Sequence, residues 1–268
     1  MKKLLLLASL LGMAGTGWPH QAPAQGAVAK ESENCANLPA LEQKVESQHE
    51  RLMDWPELGR YREANATVSD PAKDELRVVF MGDSITDSWQ RPQFGGFFPG
   101  KPYIDRGISG QTTAQMLLRF RADVIALEPR VVVILAGTND IAGNTGPMTL
   151  EETEGYLASM SELAHVHGIR VVLSSVTPVN DLTTPEGKKI VQTVRRPPEK
   201  ILAANEWIKK YAAEHADVYL DYFAALTDEK GLLNTALTYD GLHPNAAGYA
   251  VMAPLAEKAI QEALSKKP

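Results

Sequence analysis

Short apolar runs, each closed by small or polar residues, recur along the chain from residue 77 onward. Arg77-Val78-Val79-Phe80-Met81 stops at Gly82, Val131–Leu135 runs into Ala136-Gly137, Val171–Leu173 into Ser174-Ser175, and Val218–Leu220 into Asp221; Pro102–Asp105 reads as a further short strand. Apolar runs of this length without alternation are what strands buried on both faces look like. Between them, the segments Thr112–Leu127, Leu150–His167, Glu199–Glu214 and Ala246–Leu264 carry apolar positions at helical spacing with few breakers. Strands alternating with helices imply a parallel sheet covered on both faces, with chemistry gathered at the carboxyl ends of the strands.

Upstream the pattern is different. Met1-Lys2-Lys3 followed by a leucine-rich run to Leu11 reads as a signal peptide over 1–24, which points to a secreted or periplasmic protein. Cleavage fits either Ala22-Pro23-Ala24 or Ala27-Val28-Ala29. Residues 25–74 are polar and read as an N-terminal arm lying on the main domain, with a helix near Leu38–Met53 marked by Leu38, Leu41, Val45 and Leu52. Residues 75–268 then read as the main domain, about 190 residues, a usual single-domain length. One long irregular stretch, Thr177 to Pro198, holds Pro178, Pro185, Gly187 and Pro197-Pro198. Such a stretch inside a domain is a lid, a binding loop or disordered.

Composition narrows the classes. With 44% hydrophobic and 22% charged residues, the chain has enough apolar side chains for a core. Its formal charge of −6 becomes −8 once Lys2 and Lys3 leave with residues 1–24, and an acidic chain argues against nucleic acid or an anionic membrane as partner. After the leader, no stretch approaches the ~20 apolar residues of a membrane helix. Cys35 is the single cysteine, which excludes an intramolecular disulfide and leaves a free or interchain thiol. The sequence does not indicate an oligomeric state.

Four stretches carry candidate chemistry. Gly82-Asp83-Ser84-Ile85-Thr86 sits where a strand ends and a helix begins, the placement a nucleophilic serine needs, although Ser84 could equally be a helix cap. Arg106-Gly107-Ile108-Ser109-Gly110-Gln111-Thr112 has glycines that let the backbone approach a ligand, or is an ordinary loop. Gly137-Thr138-Asn139-Asp140 follows the most apolar strand, where the Asn139 amide can face an oxyanion, or is a plain turn. In Tyr239-Asp240-Gly241-Leu242-His243-Pro244-Asn245, the spacing lets the Asp240 carboxylate fold back onto one ring nitrogen of His243 while the other faces the serine. One His with one Asp lacks the ligand count of a metal site. A phosphate loop of the GxxxxGK[ST] type is absent, which removes nucleotide binding.

Together, in this order, the four stretches resemble the SGNH hydrolases, also called GDSL-type esterases and lipases. The resemblance implies a three-layer α/β/α, flavodoxin-like fold with a five-stranded parallel sheet, and a serine esterase that needs no cofactor or metal. It also implies that Ser84 is the nucleophile, that Asp240 and His243 complete the triad, and that the Ser84 and Gly110 N–H groups and the Asn139 side chain form the oxyanion hole. The Gly-x-Ser-x-Gly elbow of α/β-hydrolases is absent around Ser84.

The blocks look most like the branch holding platelet-activating-factor-type acetylhydrolases and carbohydrate acetylesterases. The expected substrate is therefore a small-molecule or carbohydrate ester with an acetyl-type acyl group. A lysophospholipase or thioesterase taking longer chains is the alternative, and a non-catalytic carbohydrate-binding relative is a second. Candidate substrate-lining residues are Trp89 and Phe97, within the aromatic segment Trp89–Phe98, together with Ile141 and Leu242. The aromatics could instead be core. Arg195 and Arg196 could reach an anionic group, although adjacent arginines are usually solvated.

Overall fold

Every strand run named above becomes a rung of one sheet in a computed structural model of the protein, which describes residues 37–266. The proposed leader lies outside the described residues. The chain divides into two units, Met1–Leu52 and Met53–Pro268. In the first, the described structure is helix α1 (Leu38–Met53, its last residue assigned to the second unit), which matches the expected helix.

The second unit opens with a short helix α2 (Arg62–Ala66) and then alternates strand and helix. In chain order these are β1 (Val78–Gly82), α3 (Ser84–Trp89), β2 (Tyr103–Gly107), α4 (Thr113–Asp123), β3 (Val131–Leu135), α5 (Thr138–Ile141), α6 (Leu150–Val166) and β4 (Arg170–Ser174). There follow a two-residue pair β5 (Leu182–Thr183) and β6 (Lys189–Ile190), α7 (Pro198–Glu214), β7 (Val218–Leu220), α8 (Tyr222–Leu226) and α9 (Ala246–Ser265). The main sheet has five strands in the order β2-β1-β3-β4-β7, all neighbours parallel.

Successive strand residues point to opposite faces, and both faces are dry. Val79, Met81, Val132 and Ile134 pack with Met116 and Phe120 of α4 and Met160 of α6. Val78, Phe80, Val131 and Val133 pack instead with Ile85 and Trp89 of α3 and with Tyr249, Met252 and Ile260 of α9. This double burial is why the strands read as unbroken apolar runs.

The stretch Thr177–Pro198 is fastened rather than free. β5 and β6 pair antiparallel, and the Asp181 carboxylate accepts hydrogen bonds from the Gln192 and Thr193 backbone N–H groups at 2.7 and 2.9 Å. Asn180 N–H donates to Gly241 O at 2.8 Å, and the Gln192 amide to Asp240 O at 3.2 Å. The loop thereby braces the segment that bears His243. Residues 54–74 are likewise tied into this unit: the amides of Gln111 and Gln115 donate to the carbonyls of Pro56 and Trp55, and Tyr61 OH donates to Gly107 O.

Candidate active site

The loops that follow β1, β2 and β3 meet at the carboxyl edge of the sheet. β1 ends at Gly82, where any side chain would be built into the Thr86 hydroxyl, so α3 can start directly against the strand. Asp83 caps that helix, its carboxylate accepting from Ile85 N–H at 2.9 Å. Ser84 is the first helical residue, a position whose backbone N–H has no intrahelical partner. After β2, Gly110 adopts φ +83°, a left-handed conformation that glycine takes at little cost. Among the described residues, neither the Ser84 nor the Gly110 N–H donates to another group.

Asn139, on α5 just beyond β3, is buried. Its amide nitrogen donates to Gln111 O at 3.0 Å and lies 3.3 Å from the Asp83 carboxylate. Its carbonyl oxygen accepts from the Asn144 amide at 2.9 Å, with the Arg196 guanidinium at 3.4 Å. These contacts fix which way the amide points.

The fourth loop brings Asp240 and His243. One Asp240 oxygen accepts from the backbone N–H groups of His243 at 2.7 Å and Leu242 at 3.0 Å. The other lies 2.6 Å from His243 Nδ1, and His243 Nε2 lies 2.8 Å from Ser84 Oγ. A proton on Nδ1 leaves Nε2 free to accept from the serine hydroxyl. Burial would raise the Asp240 pKa, but the hydrogen bonds from His243 and Leu242 outweigh it and hold the carboxyl below its ordinary value. Asp83, beneath Ser84, behaves oppositely: burial pushes it up to about 6 despite the Ile85 N–H.

The cleft above Ser84 has a volume of about 400 Å³. Gly110, Asn139, Leu242 and His243 line it as the sequence suggested. Ile141, Trp89 and Phe97 do not. Ile141 packs against the core on the α4 side of the sheet. Trp89 is 3% exposed and sits with Phe80, Phe97, Phe98 and Tyr249 in an aromatic cluster, at ring separations of 4.9 to 6.2 Å. Burying several large rings together lends more to the core than a pocket wall would. Arg196 also differs from a solvated arginine: it is 5% exposed, because Thr138, Gln192 and Asn139 accept its N–H groups.

Several cleft residues carried no signal in the sequence. Arg91 follows α3, Asn144 lies in the turn after α5, and the Tyr239 ring stacks parallel to His243 at 5.7 Å. Arg91 and Asn144 belong to no motif or periodic face and are brought in by the path of the loops, whereas Tyr239 opens the stretch that bears Asp240 and His243 but was given no role there. Among the described residues, no group of three or more His, Cys, Asp or Glu is placed to hold a metal ion, and no helix is long and apolar enough to cross a membrane.

A sequence profile of the GDSL-like lipase/acylhydrolase family matches residues 80–251. The solved structure of a GDSL-like lipase from Bacteroides thetaiotaomicron is 42% identical, with 78% of this chain and 98% of that one covered and a TM-score of 0.70. An acetylxylan esterase from Geobacillus stearothermophilus is 27% identical over 203 residues, 66% of this chain and 90% of that protein. A crystal structure of an acetylxylan esterase from the same organism, 22% identical, shares the fold with a TM-score of 0.55 over 72% of this chain and 96% of that one.

Proposed function

The chain belongs to the GDSL-like lipase/acylhydrolase family and is a carboxylic ester hydrolase; on that premise we propose that it cleaves short, acetyl-type esters through an acyl-enzyme on Ser84. The observation that carries the reading is the unbroken relay from Asp240 through His243 to Ser84, at 2.6 and 2.8 Å, beside two unspent backbone N–H groups.

His243 Nε2 takes the Ser84 proton as Oγ attacks the ester carbonyl carbon, and Asp240 stabilises the imidazolium. The Ser84 and Gly110 N–H groups receive the oxyanion, joined by the Asn139 amide as it gives up its long 3.3 Å contact with Asp83. Collapse of the tetrahedral intermediate breaks the bond to the alcohol, which leaves with the proton from His243. Water then gives a proton to His243, attacks the acyl carbon and releases the acid, and Ser84 recovers its hydrogen.

Two observations favour a short acyl group. Leu242 and Tyr239 bring apolar surface to a cleft otherwise lined by polar, charged and glycine residues, and the rings of Trp89 and Phe97 are occupied in the core. The acetylxylan esterase similarity points to a carbohydrate O-acetyl ester as the natural class. The basic and leucine-rich residues 1–11 favour export, with 1–24 removed, and residues 75–268 carrying the catalytic domain.

The test is hydrolysis of p-nitrophenyl esters from acetate to palmitate by the mature protein and by Ser84→Ala, with chelator present. Turnover highest on acetate, falling with chain length and lost in the variant, is the expected result. A maximum at long chains would move the assignment to a lysophospholipase or thioesterase. Undiminished activity in Ser84→Ala would remove the serine mechanism.

A further inference from the structure

The cleft above Ser84 has a charge opposite to that of the molecule. The chain carries a formal −6, yet three guanidinium groups, from Arg91, Arg195 and Arg196, line the site. Among the described residues, none of the three forms a salt bridge. The nearby carboxylates are engaged elsewhere. Asp240 is held by His243, Asp83 lies buried under Ser84, and Asp87 faces Arg60 and Ser109.

The arginines are not equivalent. Arg196 spends its N–H groups on Thr138, Gln192 and Asn139 and so serves to orient the Asn139 amide. Arg195 uses one terminal nitrogen, on Ala142 O at 3.1 Å and Asn144 Oδ1 at 2.9 Å, which leaves its other N–H groups unspent among the described residues. Arg91 makes no side-chain hydrogen bond to a described residue, and its charge acts on the neighbouring Tyr239 hydroxyl. Two available cations from separate loops thus flank the serine. Both side chains are exposed, so each is solvated in the free protein and open to an anion that reaches the serine.

Resting on the Ser84 esterase reading, we propose that the alcohol portion of the substrate bears an anionic group, a carboxylate or a phosphate, bound by Arg91 and Arg195. An acetyl group has no place for such a charge, so it must sit on the part that leaves. A guanidinium offers either oxyanion a paired, charge-assisted hydrogen bond. The two sources of that chemistry differ: a uronate would come from an acidic oligosaccharide, a phosphate from a phosphorylated sugar or lipid headgroup.

The experiment measures acetate release from acetylated methyl glucoside, methyl glucuronide and glucose 6-phosphate by the wild type, Arg91→Gln, Arg91→Lys and Arg195→Gln. The readout is the ratio of kcat/KM for each anionic ester to that for the neutral one, with p-nitrophenyl acetate as a reference. The wild type should favour an anionic ester by about ten-fold or more at low salt. The preference should shrink near 1 M salt, where the screening length is about 3 Å. Arg91→Gln and Arg195→Gln should bring the ratio towards one, and Arg91→Lys should keep most of it. Preference for the glucuronide supports an acidic oligosaccharide, and preference for the phosphate a phosphorylated substrate. Equal or faster turnover of the neutral ester at low salt, or a ratio unmoved by both glutamine variants, overturns the inference while leaving Ser84-dependent hydrolysis of p-nitrophenyl acetate intact. Absence of turnover on every ester would instead remove the esterase reading, and this inference with it.

Discussion

Arg119 ties together the two loops that supply backbone donors to the proposed oxyanion hole, and its replacement tests how that edge is held. The side chain is fully buried in α4. Its guanidinium meets Asp123 at 3.0 Å, Gln111 Oε1 at 2.6 Å and Gly82 O at 3.0 Å. Gly82 stands two residues before Ser84, and Gln111 one after Gly110. In Arg119→Met the volume is nearly kept, but Asp123 becomes a buried carboxylate with Asn65 as its remaining side-chain partner at 2.7 Å. Breaking a buried ion pair costs about 3–5 kcal/mol. For a unit of this size that is a fall in Tm of roughly 6–20 °C.

In Arg119→Met/Asp123→Asn the orphan charge is gone, so at least about half of the loss should return. The rate should behave differently. Both variants remove the guanidinium that links the Gln111 side chain to the Gly82 carbonyl, leaving each with one other partner, Pro56 O and Ile108 N–H, so kcat on p-nitrophenyl acetate should fall by roughly ten- to hundred-fold in each, measured well below either Tm. Thermal unfolding alongside initial rates separates the two effects. A single variant within about 1 kcal/mol of the wild type would refute the buried-pair argument. A folded double variant with wild-type kcat would refute the positioning argument.

Asn139→Ala removes one oxyanion donor and should lower kcat by ~10²–10³ with little change in KM, as read from steady-state kinetics on p-nitrophenyl acetate; an unchanged kcat would remove Asn139 from the mechanism. Asp105, buried in β2, accepts from Gly107 N–H at 2.7 Å through one oxygen, while the other has no partner among the described residues. Burial raises its pKa to about 7. Below about pH 4 the folded and unfolded chains both carry the proton; from there to about pH 7 the unfolded chain ionises first, so the native state loses up to about 4 kcal/mol, a loss complete and constant above pH 7. Asp105→Asn carries no such charge, so its Tm relative to the wild type should rise between pH 5 and pH 8, and a pH-independent difference would contradict the argument.

What the sequence disclosed follows from how far each signal reaches along the chain. β3 was legible because all five residues of Val131–Leu135 are buried, and a doubly covered strand writes that burial into consecutive positions. The Asp240–His243 contact was legible because it spans three residues and closes through local backbone geometry. The strand order β2-β1-β3-β4-β7 has no such local trace. Trp89 and Phe97 show the same boundary: an aromatic segment beside a nucleophile has one composition whether it walls a pocket or fills a core, and the difference lies in partners such as Phe80 and Tyr249. Arg196 was obscured for a related reason, since the groups that make its burial tolerable, Thr138 and Asn139, lie nearly sixty residues away. The carbonyls of Trp55 and Pro56, which accept from Gln115 and Gln111, are backbone groups that every residue carries and no sequence marks.

These contacts divide the site into two separately braced halves. Ser84, Gly110 and Asn139 are coupled by the Asp83–Asn139–Gln111 contacts and by Arg119. Asp240 and His243 are held instead by Asn180, by Gln192 and by Thr238, whose hydroxyl donates to His243 O at 2.7 Å. Arg196 joins the halves, because it contacts Gln192 on one side and Asn139 on the other. Tyr249 joins them at depth, its hydroxyl donating from α9 to Ile85 O at 2.7 Å. A serine hydrolase needs its base and its oxyanion donors fixed relative to one another to within a fraction of an ångström. The buried guanidinium of Arg196 therefore bears on the relative placement of the two halves as well as on the orientation of one amide, and its burial at the cost of desolvation is consistent with that double role.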